Sequence, residues 1–240
     1  MIAGFDPSLT HTGWVVFDEN KIGKESVLEA GVFRTETSDG TIVQRLIMQR
    51  ERVRLLLEAK NVRFVTMEAP IMQEWSTEIL FALHYYYHEI FLELGVFVVL
   101  IHSSSWKSIC FPGKDINEIT KAHSSHLAKV ELGRQGKRLS EHVADAYHLG
   151  KIGHRFYQWY IMHLFKDDGL TEAEQNLFCG KHTFQRGEKK GMTEYTGIIY
   201  RENEMFFDYS KYRSRNKEAL VKELLSGAKE GQEFDNGRIL

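Results

Sequence analysis

The 240-residue chain has little cysteine and no long apolar segment. Its only two cysteines, Cys110 and Cys179, lie far apart and have neither the spacing of a metal-binding pair nor the number needed for a disulfide framework. This is typical of a reducing compartment. The most apolar run, GVFVVLI at 95–101, is too short to cross a bilayer, and no basic segment followed by an apolar one opens the chain. We therefore expect a soluble cytoplasmic protein that does not associate with membranes.

The chain also lacks a strong charge of either sign. Its 31 Lys and Arg residues nearly balance 33 Asp and Glu residues, for a formal net charge of -2. The protein as a whole therefore offers no strong attraction to polyanions, and a nucleic-acid function needs local basic patches. Hydrophobic residues at 42% and charged residues at 27% are typical of a folded globular protein, with length for one main domain and an extension.

The hydrophobic pattern predicts a mixed α/β domain. We expect three strands at the start of the chain and then alternating helices and strands. The predicted strands are 2–5, 13–17, 29–34, 62–67 and 96–101, and the predicted helices are 41–60, 76–94, 116–132 and one that begins near Ser140 as N-cap.

The composition changes after Phe165. A polar segment follows, and then aromatic residues alternate with many Lys and Arg residues. We place a domain boundary there, with a main domain at 1–165 and a smaller α+β C-terminal extension at 166–240. The extension is predicted to contain a hairpin at 197–209 that turns at Glu202 and Asn203, and a helix at 216–228.

Three carboxylates stand at the ends of predicted elements. Asp6 interrupts an apolar strand, Glu68 ends another, and Asp145 lies near the start of a late helix, three residues after His142 on the same helical face. Each alone can be explained as a turn residue, a solvent-facing strand end or a first-turn residue. Together, acidic groups from separate elements repel one another unless a cation binds, and hard oxygen ligands select Mg²⁺ or Mn²⁺.

Three segments resemble the motifs of the RuvC-type Holliday junction resolvases, a branch of the ribonuclease H-like nucleases. GFDPSLTHTGWVVFD resembles the first motif, VTMEAP the second and HVADAYHLG the third, so that the resemblance covers about residues 1–156. It implies that Asp6, Glu68, His142 and Asp145 form the metal-binding catalytic set. His142 could be a metal ligand or a proton carrier, and we favour the ligand.

The resemblance also implies a fold, a chemistry and an assembly. The fold would be a ribonuclease H-like five-stranded mixed sheet flanked by helices. Two Mg²⁺ ions, for which Mn²⁺ can substitute, would support hydrolysis of a phosphodiester to a 5′-phosphate and a 3′-hydroxyl. The protein would act as a homodimer on four-way junctions, because a two-fold enzyme suits paired symmetric nicks.

Several basic and aromatic residues are candidates for DNA contact. Lys107 follows Trp106, which suggests a fixed position near the scissile phosphate, so we include Lys107 in the catalytic set. A solvated surface is the alternative for the lysines and arginines, and packing is the alternative for a tryptophan that could wedge the junction. The DNA-binding candidates are Trp75, Lys114, Lys121, Lys189, Lys190, Arg213 and Arg215.

Other functions remain open on the sequence alone. A ribonuclease H-like nuclease could cleave flaps, other branched DNA or RNA–DNA hybrids, and a relative without catalysis could bind junctions. A sugar-kinase or chaperone-like ATPase also begins with a strand aspartate before a Thr and Gly turn. That class needs a duplicated half with a second phosphate-binding Asp-Gly loop, which does not fit in this length.

Overall fold

A computed structural model describes residues 1–70, 77–133, 139–178, 181–183 and 193–195. Seven strands and six helices lie in these ranges. In chain order they are β1 Ile2–Asp6, β2 His11–Phe17, β3 Val27–Arg34, α1 Ile42–Ala59, β4 Phe64–Glu68, α2 Thr77–Glu93, β5 Phe97–Ile101, α3 Ser103–Cys110, α4 Lys121–Glu131, α5 Glu141–Tyr160, α6 Glu172–Phe178, β6 Lys181–Thr183 and β7 Thr193–Tyr195.

The first five strands form one mixed sheet in the order β3-β2-β1-β4-β5. β1, β2 and β3 are joined as an antiparallel meander, whereas β1, β4 and β5 run parallel. Helical crossovers connect the parallel strands, as parallel pairing requires. This sheet confirms the predicted five-stranded mixed α/β fold. β6 and β7 pair separately as a two-stranded antiparallel sheet.

Each face of the main sheet carries its own hydrophobic core. Strand side chains alternate between the two faces, so Phe5 and Met67 pack toward α1 and α2, while Ile2 and Phe64 pack toward α5. α5 lies along β1, and its side of the sheet is completed by α3, α4 and α6. The sheet is therefore buried on both faces, with its strand ends left to form a site.

Glycines allow α5 to lie very close to the sheet. A Cβ atom at Gly4 would lie 2.2 Å from the Ala146 carbonyl oxygen and 2.4 Å from the Gly150 nitrogen. A Cβ at Gly153 would lie 2.0 Å from the Thr66 hydroxyl oxygen. Helix backbone therefore contacts strand backbone directly, which fixes the depth at which α5 sits.

The predicted elements of residues 1–165 agree with the structure except in two places, and beyond them the pattern does not predict α6, β6 or β7. The helix predicted at 116–132 is wrong at its start: Ile116–Glu118 forms a single 3₁₀ turn and α4 begins after Thr120. Thr120 begins the helix because its hydroxyl accepts the His123 N–H, as an N-cap does. The second difference is α3, a short helix that the hydrophobic pattern does not predict.

The helices α1 and α5 each begin after a Thr or Ser residue at the N-cap position. Thr41 caps α1 and forms a capping box with Gln44. Ser140 is the N-cap residue of α5, as predicted, although its side chain makes no capping hydrogen bond.

The proposed division after Phe165 stays a prediction. α6 lies beyond it, yet Leu170, Leu177 and Phe178 pack in the same core as α5. The predicted hairpin at 197–209 and helix at 216–228 lie outside the described residues. Within the described ranges, no helix is both long enough and apolar enough to span a membrane.

Substitution of Gly4 by Ala should destabilise the fold by about 3 kcal/mol or more, because the new methyl group meets backbone atoms that no rotamer change can move. Gly169→Ala is the matched control, since its Cβ would approach only the Phe165 ring, at 3.1 Å. Urea unfolding measures both free energies. Equal effects of the two substitutions would contradict the close helix-to-sheet contact.

Candidate active site

The turn after β1 is held by the side chain of Thr12. Its hydroxyl donates to the Ser8 carbonyl oxygen at 2.7 Å and accepts the Ser8 N–H at 3.2 Å. The buried Tyr87 hydroxyl lies 2.9 Å from the same oxygen, and it donates because the Thr12 proton is already used. The Pro, Ser and Thr residues that interrupt the sequence pattern therefore build a rigid turn beside Asp6.

Three carboxylates come together at one end of the sheet. Asp6 and Glu68 end two adjacent parallel strands, β1 and β4, and Asp145 projects from the second turn of α5. All three line one cavity of about 310 Å³. Its other lining residues are Pro7, Ser8, Trp106, Lys107, Ile119, Thr120, Lys121, Ser124 and His142. The structure thus brings all five predicted catalytic residues, Asp6, Glu68, Lys107, His142 and Asp145, into one cavity.

His142 hydrogen-bonds Asp6. Its Nδ1 lies 2.8 Å from Asp6 Oδ2, and this contact raises the pKa of His142. Gly13, which pairs with Asp6 across the hairpin, permits the contact, because a Cβ there would lie 2.0 Å from the His142 carbonyl oxygen. His11 stacks on the His142 ring with 5.5 Å between centroids. In this arrangement His142 orients Asp6 through one ring nitrogen, and a ligand role through the other nitrogen stays a prediction.

Glu68 is a partly buried carboxyl with an incomplete set of partners. Burial raises its pKa to about 7, and the negative charge of Asp6 adds to the increase. The Trp106 indole N–H donates to Glu68 Oε2 at 3.4 Å and opposes this shift only in part.

The surroundings of Asp145 shift its pKa in the same direction as that of Glu68. Burial raises its pKa to about 6, although the Ser124 hydroxyl donates to its Oδ1 at 2.5 Å and lowers the pKa. The charge of Asp6 raises the pKa of Asp145 as it does that of Glu68. The cavity therefore holds more negative charge than its protein partners balance.

The lysines near the site differ in whether they line the cavity. Lys107 and Lys121 line the cavity, and Lys107 Nζ lies 5.6 Å from the centre of the Trp106 ring. Lys121 forms an exposed ion pair with Glu141 at 3.0 Å. Lys114 is not among the lining residues and lies over the Phe111 ring instead. The other DNA-binding candidates lie outside the described residues: Trp75, Lys189, Lys190, Arg213 and Arg215.

The chemistry of the donor set fits a hard divalent cation. In the part of the chain that the structure describes, no three His, Cys, Asp or Glu side chains already stand at the spacing of a bound ion. Asp6, Glu68 and Asp145 nevertheless face one cavity, where burial and mutual repulsion raise the pKa values of Glu68 and Asp145. Carboxylate oxygens with this excess negative charge would hold Mg²⁺ or Mn²⁺ after side-chain adjustment.

The sequence pattern does not predict a role in the site for several residues that contribute to it. Ser124 and Tyr87 support the site from outside the three motifs, and His11 lies inside the first motif without a predicted role. Ser124 follows the Thr120 cap by one helical turn, which gives no sign of its partner in α5. Such contacts join distant parts of the chain, and a single sequence has no local pattern that predicts them.

Comparison with known proteins bears on the fold. The mixed sheet, its strand order and the helices on both faces define a ribonuclease H-like fold. Thermus thermophilus RuvC in complex with a Holliday junction substrate is similar, with a TM-score of 0.52, 20% sequence identity, and coverage of 65% of this chain and 92% of RuvC. A second structure of Thermus thermophilus RuvC gives a TM-score of 0.52, 19% identity, and coverage of 68% and 96%. The chain thus has the fold of the RuvC-type resolvases.

Comparisons of the sequence itself give no match. No protein-family model matches the chain, and no curated protein sequence matches it.

Replacement of Asp145 by Asn should stabilise the metal-free protein at pH 8. The folded-state pKa of Asp145 is raised from 3.8 to about 6, so its contribution to stability is full below pH 3.8 and is lost as the pH rises through 6. The introduced amide carries no charge at any pH, which predicts a gain of about 1–3 kcal/mol at pH 8 and little change near pH 4.

Urea unfolding with a chelator measures this difference at each pH. Glu118→Gln, which alters an exposed carboxyl outside the cavity, is the control and should have little effect. An Asp145→Asn protein that is no more stable than the wild type at pH 8 would show that the carboxylate is not under electrostatic strain.

Proposed function

We propose that this chain is a divalent-metal-dependent endonuclease that resolves Holliday junctions. The observation that carries the proposal is the convergence of Asp6, Glu68 and Asp145 in one cavity at the ends of β1 and β4 and the start of α5. The likeness of the fold to Thermus thermophilus RuvC in complex with a Holliday junction substrate supports the choice of substrate.

The carboxylates would hold the metal ions. Asp6 lies on the central strand and its charge affects both other acids, so Asp6, Glu68 and Asp145 would hold the ions together. When bound, two Mg²⁺ ions would supply a water of lowered pKa and stabilise the departing 3′ oxygen. The products would carry a 5′-phosphate and a 3′-hydroxyl.

His142 would orient Asp6, and the cavity lysines would contact a DNA phosphate. His142 orients Asp6 through Nδ1, and this hydrogen bond raises the pKa of the ring at the edge of the cavity. Lys107 and Lys121 extend the cavity wall with positive charge where a DNA phosphate would enter. The basic clusters that contain Lys189, Lys190, Arg213 and Arg215 would add contacts to the arms of the junction.

A homodimer is part of the proposal. Two copies related by a two-fold axis would place two cavities on opposed strands of a four-way junction, which gives paired nicks. The described helices α1 and α2 expose large apolar side chains, including Ile47, Leu55 and Leu92, that a second copy could cover.

Cleavage of synthetic DNA tests the proposed activity. Wild-type protein with Mg²⁺ or Mn²⁺ should introduce paired symmetric nicks in a four-way junction and none in a linear duplex. Asp6→Asn should lower the rate by more than the 10–100-fold that is typical for loss of an outer-shell partner, because it removes a proposed ligand. Glu118→Gln should cleave like the wild type.

The substrate panel separates the alternatives. It includes flaps and RNA–DNA hybrid, with chelator as the negative control. Cleavage restricted to flaps or hybrid would retain the metal chemistry and refute the resolvase assignment. Tight junction binding without cleavage of any substrate would identify a junction-binding protein instead.

Lys107 and Lys114 should have different kinetic roles. Lys107 lines the cavity, so Lys107→Ala should reduce the single-turnover cleavage rate at saturating protein by about 100-fold. Lys114 lies outside the lining, so Lys114→Ala should change only the dissociation constant for the junction and its salt dependence. Equal effects of both substitutions on the single-turnover rate would contradict a catalytic role for Lys107.

A further inference from the structure

Three buried side chains connect Glu68 to Asp145. Trp106 from α3 and Ser124 from α4 line the cavity, and His148 from α5 contacts both; their exposed fractions are 2%, 2% and 0%. They come from three different helices, and none is part of the acidic set. Their contacts form a continuous chain from one carboxylate to the other.

The first end of this chain holds Glu68. The Trp106 indole N–H is the donor to Glu68 Oε2, and phenylalanine could not replace that donor. The Trp106 ring also lies near Lys107 Nζ. One indole therefore contacts both a proposed ligand and the proposed phosphate-binding lysine.

The other end holds Asp145. The Ser124 hydroxyl donates to Asp145 Oδ1, and the backbone carbonyl of the same residue faces His148 Nε2 at 3.0 Å. Because a carbonyl oxygen only accepts, His148 Nε2 carries the proton and donates. Ser124 is thereby held at its backbone by His148 while its side chain holds Asp145.

His148 joins the two ends. Its ring stacks on Trp106 with 5.8 Å between centroids and 11° between planes. Its Nδ1 is buried without a hydrogen-bond partner among the described residues. An unpaired buried nitrogen costs free energy that a phenylalanine of similar shape would avoid. The hydrogen bond from His148 Nε2 to the Ser124 carbonyl oxygen, and not packing alone, explains why a histidine occupies this position.

We propose that Trp106, His148 and Ser124 are positioning residues that fix the separation and orientation of Glu68 and Asp145 for a shared divalent-ion site. This inference rests on the proposed function, since it takes both carboxylates as ligands. Outer-shell partners orient metal ligands by hydrogen bonds, and their loss typically weakens metal binding by about 10–100-fold. Here one stacked unit serves two ligands from different elements.

Calorimetric titration of the metal-free protein with Mn²⁺ tests the inference without any cleavage assay. Trp106→Phe keeps an aromatic ring and removes the donor to Glu68, His148→Phe keeps the stack and removes the donor to Ser124, and Ser124→Ala removes the donor to Asp145. Each should weaken Mn²⁺ binding by about 10-fold or more. Phe111→Leu is the matched control: Phe111 packs on the edge of the His148 ring and hydrogen-bonds neither carboxylate, so Mn²⁺ affinity should be unchanged.

Thermal unfolding in chelator separates positioning from stability. A merely structural unit would lower the unfolding temperature of the variants and leave the Mn²⁺ dissociation constant unchanged, which would overturn the inference. Ser124→Ala removes a single oxygen, so it keeps the test decisive if a ring substitution prevents folding. The double variant Trp106→Phe/Ser124→Ala should lose less affinity than the product of the two single losses, because both act through one unit.

The outcome for the wild type distinguishes the two proposals. Wild-type protein that binds no Mn²⁺ would overturn the metal site of the proposed function and this inference with it. Wild-type binding with undiminished affinity in all three variants would overturn only the positioning role.

Discussion

Electrostatic repulsion among partly buried carboxylates is the constraint on which the site depends. Glu68 and Asp145 are each partly buried and each lie within the field of Asp6, so their pKa values rise to about 7 and about 6. Acids in such surroundings would be avoided in a fold selected for stability alone. The rest of the structure can be understood as what holds these groups close together in spite of their repulsion.

Backbone contacts provide that restraint. The parallel pairing of β1 and β4 places Asp6 and Glu68 at neighbouring strand ends, so the backbone sets the spacing of the positions from which their side chains start. Gly4 and Gly13 let α5 approach the sheet until His142 reaches Asp6. Because the strands and the helix are packed in rigid cores on both faces, the distance between the acids is set by the fold rather than by the acids themselves.

The parts of this arrangement that the sequence could predict are those with a local signal. Asp6, Glu68 and Asp145 stand at the ends of strongly periodic elements, so their convergence follows once the order of elements is known. The pattern does not predict α3, because SSSWKSIC is short and polar at its start, and it begins α4 too early, because the cap at Thr120 interrupts an otherwise helical periodicity. The bond from Trp106 to Glu68 joins separate elements and has no local pattern.

The uneven distribution of partners among the three acids has a consequence for DNA binding. Asp6 has His142 as its partner. Lys107 lowers the pKa of Glu68, and Lys121, which also pairs with Glu141, lowers that of Asp145, yet both pKa values stay raised, so the cavity keeps an excess of negative charge. A DNA phosphate that approaches this cavity meets like charge, and a bound cation removes that repulsion. Under the proposed function, metal and DNA therefore favour each other's binding, and by linkage each must strengthen the other by the same factor. The acidic site would thus discriminate against DNA until its metal ions are in place, while basic residues outside the cavity would supply the attraction that does not depend on metal.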